Sequence, residues 1–262
     1  MQNKIVQAKS FMTKTNIGSH DFTCNPFIGC THGCIYCYAK TIERHHSPEE
    51  WGHYVDIKEY PNTFIPKGTG NKSLFFCSMT DPYQPIEGKV ESVRKILESI
   101  ALSNLSISIL TKSDLVTRDT DLFLQMKDVE IGFSISLSDL DSKIFEPGSS
   151  IPSNRIIALK KLHSAGVKTF VFVSPILPYI TNSIDIIHQV KDSVDYIMFD
   201  SLNLSDEENR KTFFKTINSH YPDLTIKMEE IFIKKNKTYY TELRNLIKKE
   251  CAIYNIPIHN IF

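Results

Sequence analysis

The chain has 262 residues, enough for one large domain or two small ones. Hydrophobic residues make up 41% and charged residues 23%, the balance of a soluble globular protein. Thirty Lys and Arg offset thirty Asp and Glu, so no global field draws the molecule to nucleic acid or to an anionic membrane, although a local basic groove stays open. The opening stretch MQNKIVQAKSFMTKTNIG lacks the apolar core of a secretory signal, and no apolar run is long enough to span a bilayer. The expectation is a cytoplasmic protein with no membrane segment.

In chain order, residues 1–19 form an N-terminal segment. CNPFIGCTHGCIYCYAK, residues 24–40, then packs four of the six cysteines into one short stretch. Residues 41–72, with Trp51 and several Pro and Gly, read as an insertion. From residue 73 the chain alternates short β-rich runs with amphipathic helical patterns. SLFFCSMT precedes VESVRKILESIALS, LSISILTKS precedes DTDLFLQMKD, and EIGFSISLS precedes SNRIIALKKLHSAG. VKTFVFVSPIL precedes SIDIIHQVKDS, and VDYIMFDSL precedes SDEENRKTFFKTINSHY. Ser153 is the expected N-cap of its helix and Gly166 the expected C-cap. With a first unit around the cysteines this makes six β/α pairs over residues 20–221, too few for a closed eight-unit barrel. The fold class is therefore α/β, a partial (β/α)6 barrel whose strands end at one polar mouth. In the extension 222–262, DLTIKMEEIFIKK reads as a terminal strand and YYTELRNLIKKECAIYN as a helix.

Cys30, Cys34 and Cys37 follow the spacing C-x3-C-x2-C. A reducing cytoplasm disfavours disulfides, which leaves metal binding or catalysis. Zinc sites usually combine two CxxC pairs, or one with distant histidines. Here three ligands share one loop and no second CxxC follows, but His32, His45 and His46 keep zinc open. Three thiolates on one loop suit a cluster of four irons in which one iron stays free for a small molecule.

C-x3-C-x-aromatic-C, with Tyr36 as the aromatic, is identified as the motif of the radical S-adenosylmethionine (radical SAM) superfamily. The wider NPFIGCTHGCIYCYAK resembles its spore photoproduct lyase-like branch. TDPYQPIE (80–87), ILTKSD (109–114), FSISLS (133–138), FEPGSSIPSNRIIALKKLHSAGV (145–167) and VSPILP (173–178) follow in order. The resemblance therefore spans about residues 20–180, and it implies a partial barrel of the radical SAM type with a C-terminal strand/helix extension.

It also implies a [4Fe–4S] cluster on Cys30, Cys34 and Cys37, with S-adenosyl-L-methionine chelating the open iron. An electron donor such as flavodoxin or ferredoxin would reduce the cluster. A 5′-deoxyadenosyl radical would then take hydrogen from an unidentified substrate, with a nucleic-acid lesion or modified base as the leading class. The alternative is a non-catalytic cysteine-rich zinc module that binds nucleic acid.

By the same resemblance Tyr36 would lie beside the adenine, and Ser78, Thr80 and Asp81 would receive the methionine ammonium. As residues, Tyr36 also reads as a core aromatic, and Asp81, extended before Pro82, also reads as a turn-former. Lys112 ends a strand-like run and would meet the methionine carboxylate. Ser134 and Ser136 share one strand face and need polar partners inside the barrel. Arg155, at a helix start, is a further candidate for the carboxylate. Cys24 and Cys251 read as small buried hydrophobes. Lys227, Lys234, Lys235 and Lys237 are diluted by Glu229 and Glu230 and read as a solvated face. Spore photoproduct lyase carries a hydrogen-returning cysteine just before an Asp-Pro, whereas Cys77 stands one residue too early. Alternation predicts Ser78 and Thr80 facing the site, with Cys77 and Met79 turned away.

Overall fold

β-branched and aromatic runs become strands in a computed structural model that describes residues 3–18, 20–42, 46–47, 49–60, 65, 69 and 71–262. The strands are β1 (Ile5–Gln7), β2 (Thr13–Lys14), β3 (Phe22–Cys24), β4 (Phe27–Ile28), β5 (Asp56–Glu59), β6 (Ser73–Phe76), β7 (Ser106–Thr111), β8 (Asp128–Ser134), β9 (Lys168–Ile176), β10 (Tyr196–Ser201) and β11 (Ile258–Ile261). An eight-stranded sheet runs β11-β10-β9-β8-β7-β6-β3-β2. Every neighbouring pair from β3 to β11 is parallel, and β2 is antiparallel to β3. The six expected barrel strands are β3 and β6 to β10, and β11 extends their parallel run. β1, β5 and β4 form a separate three-stranded sheet that ties the N-terminal segment to the insertion.

The helices are α1 (Ala39–Ile42), α2 (Glu87–Val90), α3 (Ser92–Ile100), α4 (Thr120–Phe123), α5 (Asp139–Phe145), α6 (Pro152–Ser164), α7 (Ser183–Val190), α8 (Glu207–His220), α9 (Thr225–Phe232) and α10 (Thr238–Ile253). Strand alternation sorts the side chains onto two faces. Ile107, Ile109, Ile131, Phe133, Val171, Val173, Ile197 and Phe199 belong to one core with Val93, Leu97, Leu159, Leu162, Ile187 and Val190 from the helices. The opposite face carries Ser108, Ser134, Ser174 and Asp200. This polar, inner face is what a site can use.

Three local expectations change. Pro152 opens α6, so the cap position falls on Ile151; Ser153 lies inside the first turn, and its N–H donates to Asp139 Oδ1 at 2.8 Å. Proline needs no N–H partner there, which moves the helix start two residues earlier. At the other end Gly166 adopts φ +90°, and Val167 N–H bonds to Leu162 O at 3.1 Å while Gly166 N–H bonds to His163 O at 2.9 Å, the paired closure expected of a C-cap glycine.

DLTIKMEEIFIKK is the second change: TIKMEEIF is α9, not a strand. Leu224, Met228, Ile231 and Phe232 recur at helical spacing, Met228 is fully buried, and Phe232 meets Phe213 of α8 with ring centres 5.9 Å apart. The terminal strand is β11, past α10. The third is DTDLFLQMKD, which forms only the four-residue α4, after a 3-10 turn at Asp114–Asp119.

Candidate functional site

The cysteine loop joins β4 to α1. Gly29 (φ +80°) and Gly33 (φ +61°) supply its left-handed turns. Cys30 and Cys34 are buried and Cys37 is half-buried. All three line one cavity at the carboxyl ends of β6, β7 and β8, together with His32, Ser78, Thr80, Asp81, Lys112 and Ser134. Burial pushes the Cys30 thiol up to about 12 and raises those of Cys34 and Cys37, so they ionise only against a compensating cation.

The stretch after β6 fastens the loop. Thr80 Oγ1 donates to Gly29 O at 2.7 Å, and Gln84 Oε1 accepts from Thr31 N–H at 2.9 Å. Asn25 Oδ1 accepts from Ser78 N–H at 2.9 Å and Met79 N–H at 3.0 Å, while Ser78 Oγ accepts from Asn25 Nδ2 at 3.2 Å. Asp81 knots three segments: Oδ1 accepts from Thr111 Oγ1 at 2.6 Å and Tyr83 N–H at 2.9 Å, and Oδ2 accepts from Lys112 N–H at 2.8 Å. His32 Nδ1 stands 3.5 Å from the same Oδ2. Burial lowers the His32 pKa against the pull of Asp81.

Lys112 extends from β7 into the cavity. Its ammonium has no ion-pair partner among the described residues and lies 5.9 Å from the centre of the Tyr36 ring. Burial opposes its charge, but Glu146, Cys34 and Asp81 outweigh that effect and its pKa is raised. Ser134 Oγ, also on the cavity wall, donates to Ser174 O at 2.9 Å. Ser136 Oγ is buried without a partner among the described residues and does not line the cavity.

Tyr36 packs with Cys34, Leu137 and Phe145 and donates its hydroxyl to Glu146. Glu146 also holds Arg155, whose Nη2 lies 2.5 Å from Oε2 with both side chains wholly buried. Arg155 is therefore no free carboxylate binder. Its Nη1 donates to Ser134 O at 2.8 Å and its Nε to Ser150 O at 2.7 Å, which locks the 146–150 loop under the cysteine loop. Gly148 N–H completes the contact with His32 O at 2.9 Å.

Cys77 corrects the alternation argument. β6 ends at Phe76 and the chain bends from Ser78 to Thr80, so Cys77, Ser78, Met79 and Thr80 all border the cavity. Cys24 and Cys251 sit in the hydrophobic core, as expected of small apolar groups. His46 pairs with Asp56 at 3.0 Å; His45 lies outside the described residues. Lys234 pairs with Glu230 at 2.5 Å, in keeping with a solvated face. Trp51 and Glu146 were not foreseen from the sequence. Nothing local marks them, because each reaches the site through tertiary packing.

A profile of the radical SAM superfamily matches residues 24–190. An uncharacterized protein of Methanocaldococcus jannaschii is 34% identical over 258 residues, which is 97% of this chain and 96% of the relative. The radical SAM Nalpha-GlyT isomerase of Pseudomonas phage M6 is 25% identical over 173 residues, 61% of this chain and 34% of its own. Among solved structures, spore photoproduct lyase complexed with dinucleoside spore photoproduct superposes with a TM-score of 0.69 at 16% identity, over 98% of this chain and 82% of the lyase. That last likeness is one of fold.

Proposed function

The chain belongs to the radical SAM superfamily, and on that premise we propose that it is an enzyme binding a [4Fe–4S] cluster through Cys30, Cys34 and Cys37, with S-adenosylmethionine on the fourth iron. The observation that carries this reading is the shared cavity: two buried thiols and a half-buried one, with the ammonium of Lys112, which has no ion-pair partner among the described residues, at the carboxyl ends of parallel strands. The donor set fits the group. Among the described residues no three His, Cys, Asp or Glu side chains converge on a point that would hold a single ion, as tetrahedral zinc requires. A four-iron cluster accepts more widely spaced thiolates.

When bound, the cluster supplies the electron that cleaves S-adenosylmethionine to methionine and a 5′-deoxyadenosyl radical, which takes hydrogen from the substrate. The chain's residues orient and shield. Lys112 holds the methionine carboxylate by a charge-assisted bond. Ser78, Thr80 and Asp81 border the place of the ammonium; the hydrogen bonds of Asp81 fix it there, and its charge attracts the cation. Ser134 borders the ribose side. Tyr36, held by Glu146, backs the adenine. Reduction falls to a donor such as flavodoxin or ferredoxin.

A nucleic-acid lesion or modified base is the proposed substrate. The lyase solved with a dinucleoside spore photoproduct supports it. Cys77 supports it too, since its thiol borders the cavity where a hydrogen could be returned to a product radical. The test is anaerobic reconstitution with iron and sulfide, reduction by dithionite, and chromatography after adding S-adenosylmethionine. Reductant-dependent 5′-deoxyadenosine is expected. Its absence from a protein loaded with four irons would overturn the reading.

A further inference from the structure

Resting on the cluster reading above, we propose that Trp51 donates its indole N–H to a sulfur of the cluster held by Cys30, Cys34 and Cys37, and so raises its reduction potential. Trp51 belongs to the insertion, outside every β/α unit, yet two close approaches press its neighbours against the cysteine loop. Gly52, at φ +96°, meets Gly33: a Cβ on Gly52 would lie 2.9 Å from Gly33 Cα. Tyr54 fills the space beside Gly29, where a Cβ would come within 2.6 Å of the ring. Gly29 directly precedes Cys30 and Gly33 directly precedes Cys34, so both contacts act on ligand-bearing turns. Trp51 itself meets Tyr54 edge-on, with ring centres 6.3 Å apart at 86°.

So fastened, Trp51 lines the cavity shared by the three cysteines. It also borders an outer groove with Lys40, Glu50 and Glu208. The indole stands where the two cavities meet, beside Cys34, which borders both.

Its Nε1 is buried and has no hydrogen-bond partner among the described residues. Indole nitrogen only donates, and a buried donor without an acceptor is rare in a native fold. The acceptor therefore comes with whatever fills the cavity. Thiolate and sulfide are the electron-rich atoms that the cysteine loop brings there. A hydrogen bond to either stabilises the more negative, reduced cluster, and hydrogen bonding and solvent exposure at sulfur are what set such potentials.

Trp51 is the chain's single tryptophan, so one label reports on it alone. Protein grown with indole-15N tryptophan is reconstituted, reduced and measured by pulsed EPR without S-adenosylmethionine. One 15N coupling to the cluster is expected. In Trp51→Phe the coupling disappears and the midpoint potential falls, while iron content and affinity for S-adenosylmethionine stay at wild-type values. A cluster-bearing wild type with no 15N coupling overturns the proposal, as does a coupling that arises only when S-adenosylmethionine is added. An unchanged midpoint potential in Trp51→Phe would also overturn it. Should that variant lose the cluster, the labelled wild type still decides. A wild type that assembles no cluster fails one step earlier, and then the cluster reading falls with the proposal.

Discussion

Lys112 holds a charge where burial disfavours one, and the carboxylates of Glu146 and Asp81 help it do so. With no ion-pair partner of its own among the described residues, it waits for an anion. Lys112→Ala is expected to weaken S-adenosylmethionine binding by about 1.5–3 kcal/mol, the worth of a hydrogen bond to a charged group. Calorimetry on the reconstituted variant checks this, and unchanged affinity would make Lys112 a spectator. Single Cys30, Cys34 or Cys37→Ala variants should lose the cluster, whereas Cys24→Ala, in the core beside Phe76, should keep it; iron analysis decides. Cys77 shows how far residue-level reading reaches. Period-two alternation holds inside a strand and lapses where the strand stops. One residue past Phe76, the sequence could not say which way the thiol lies.

At the scale of elements, the loop between α5 and α6 clamps the cysteine loop, and Glu146 is its centre. Burial would raise the Glu146 pKa, but Arg155 and Lys112, with the Tyr36 hydrogen bond, overcome this and leave it below its usual 4.5. A carboxylate with a depressed pKa adds stability that is full above the usual value and is lost as pH falls through the folded one. Glu146→Gln leaves the buried Arg155 guanidinium without its counter-charge. It should therefore cost about 3–5 kcal/mol at neutral pH, and its stability should fall less steeply than wild type below pH 4.5. Urea unfolding across pH checks both; parallel acid limbs in the two proteins would contradict the pairing.

Gly148 tests the same clamp sterically. A Cβ there would lie 2.0 Å from Thr31 O, so Gly148→Ala should remain folded but bind less iron. Undiminished iron would mean that the contact is slack. The sequence made the β/α units legible because each has its own period and punctuation. It concealed Glu146–Arg155, since nine residues and a helix start separate the partners. It misread α9 because a short apolar run such as TIKMEEIF carries both periods until burial chooses between them.

Across the whole molecule, one parallel sheet delivers the strand ends to a single mouth, and the cysteine loop closes over it. The central strands β6 to β9 have neighbours on both sides, whereas β11 and β1 lie at sheet edges. Amide exchange should therefore be slowest in β7 and β8 and fastest in β1 and β11; uniform protection would contradict this ranking. Six units were countable from the sequence. The parallel pairing of β11 was not, because the three helices α8, α9 and α10 intervene before the chain returns to β10. In the proposed enzyme three cysteines hold a four-iron cluster whose remaining iron takes S-adenosylmethionine. Low-temperature EPR of the 57Fe-reconstituted, reduced protein tests it most directly, measured before and after S-adenosylmethionine is added. A [4Fe–4S]+ signal whose g-values shift on addition is expected, with both the signal and the shift absent from Cys34→Ala. A colourless, EPR-silent protein carrying one zinc per chain would contradict it.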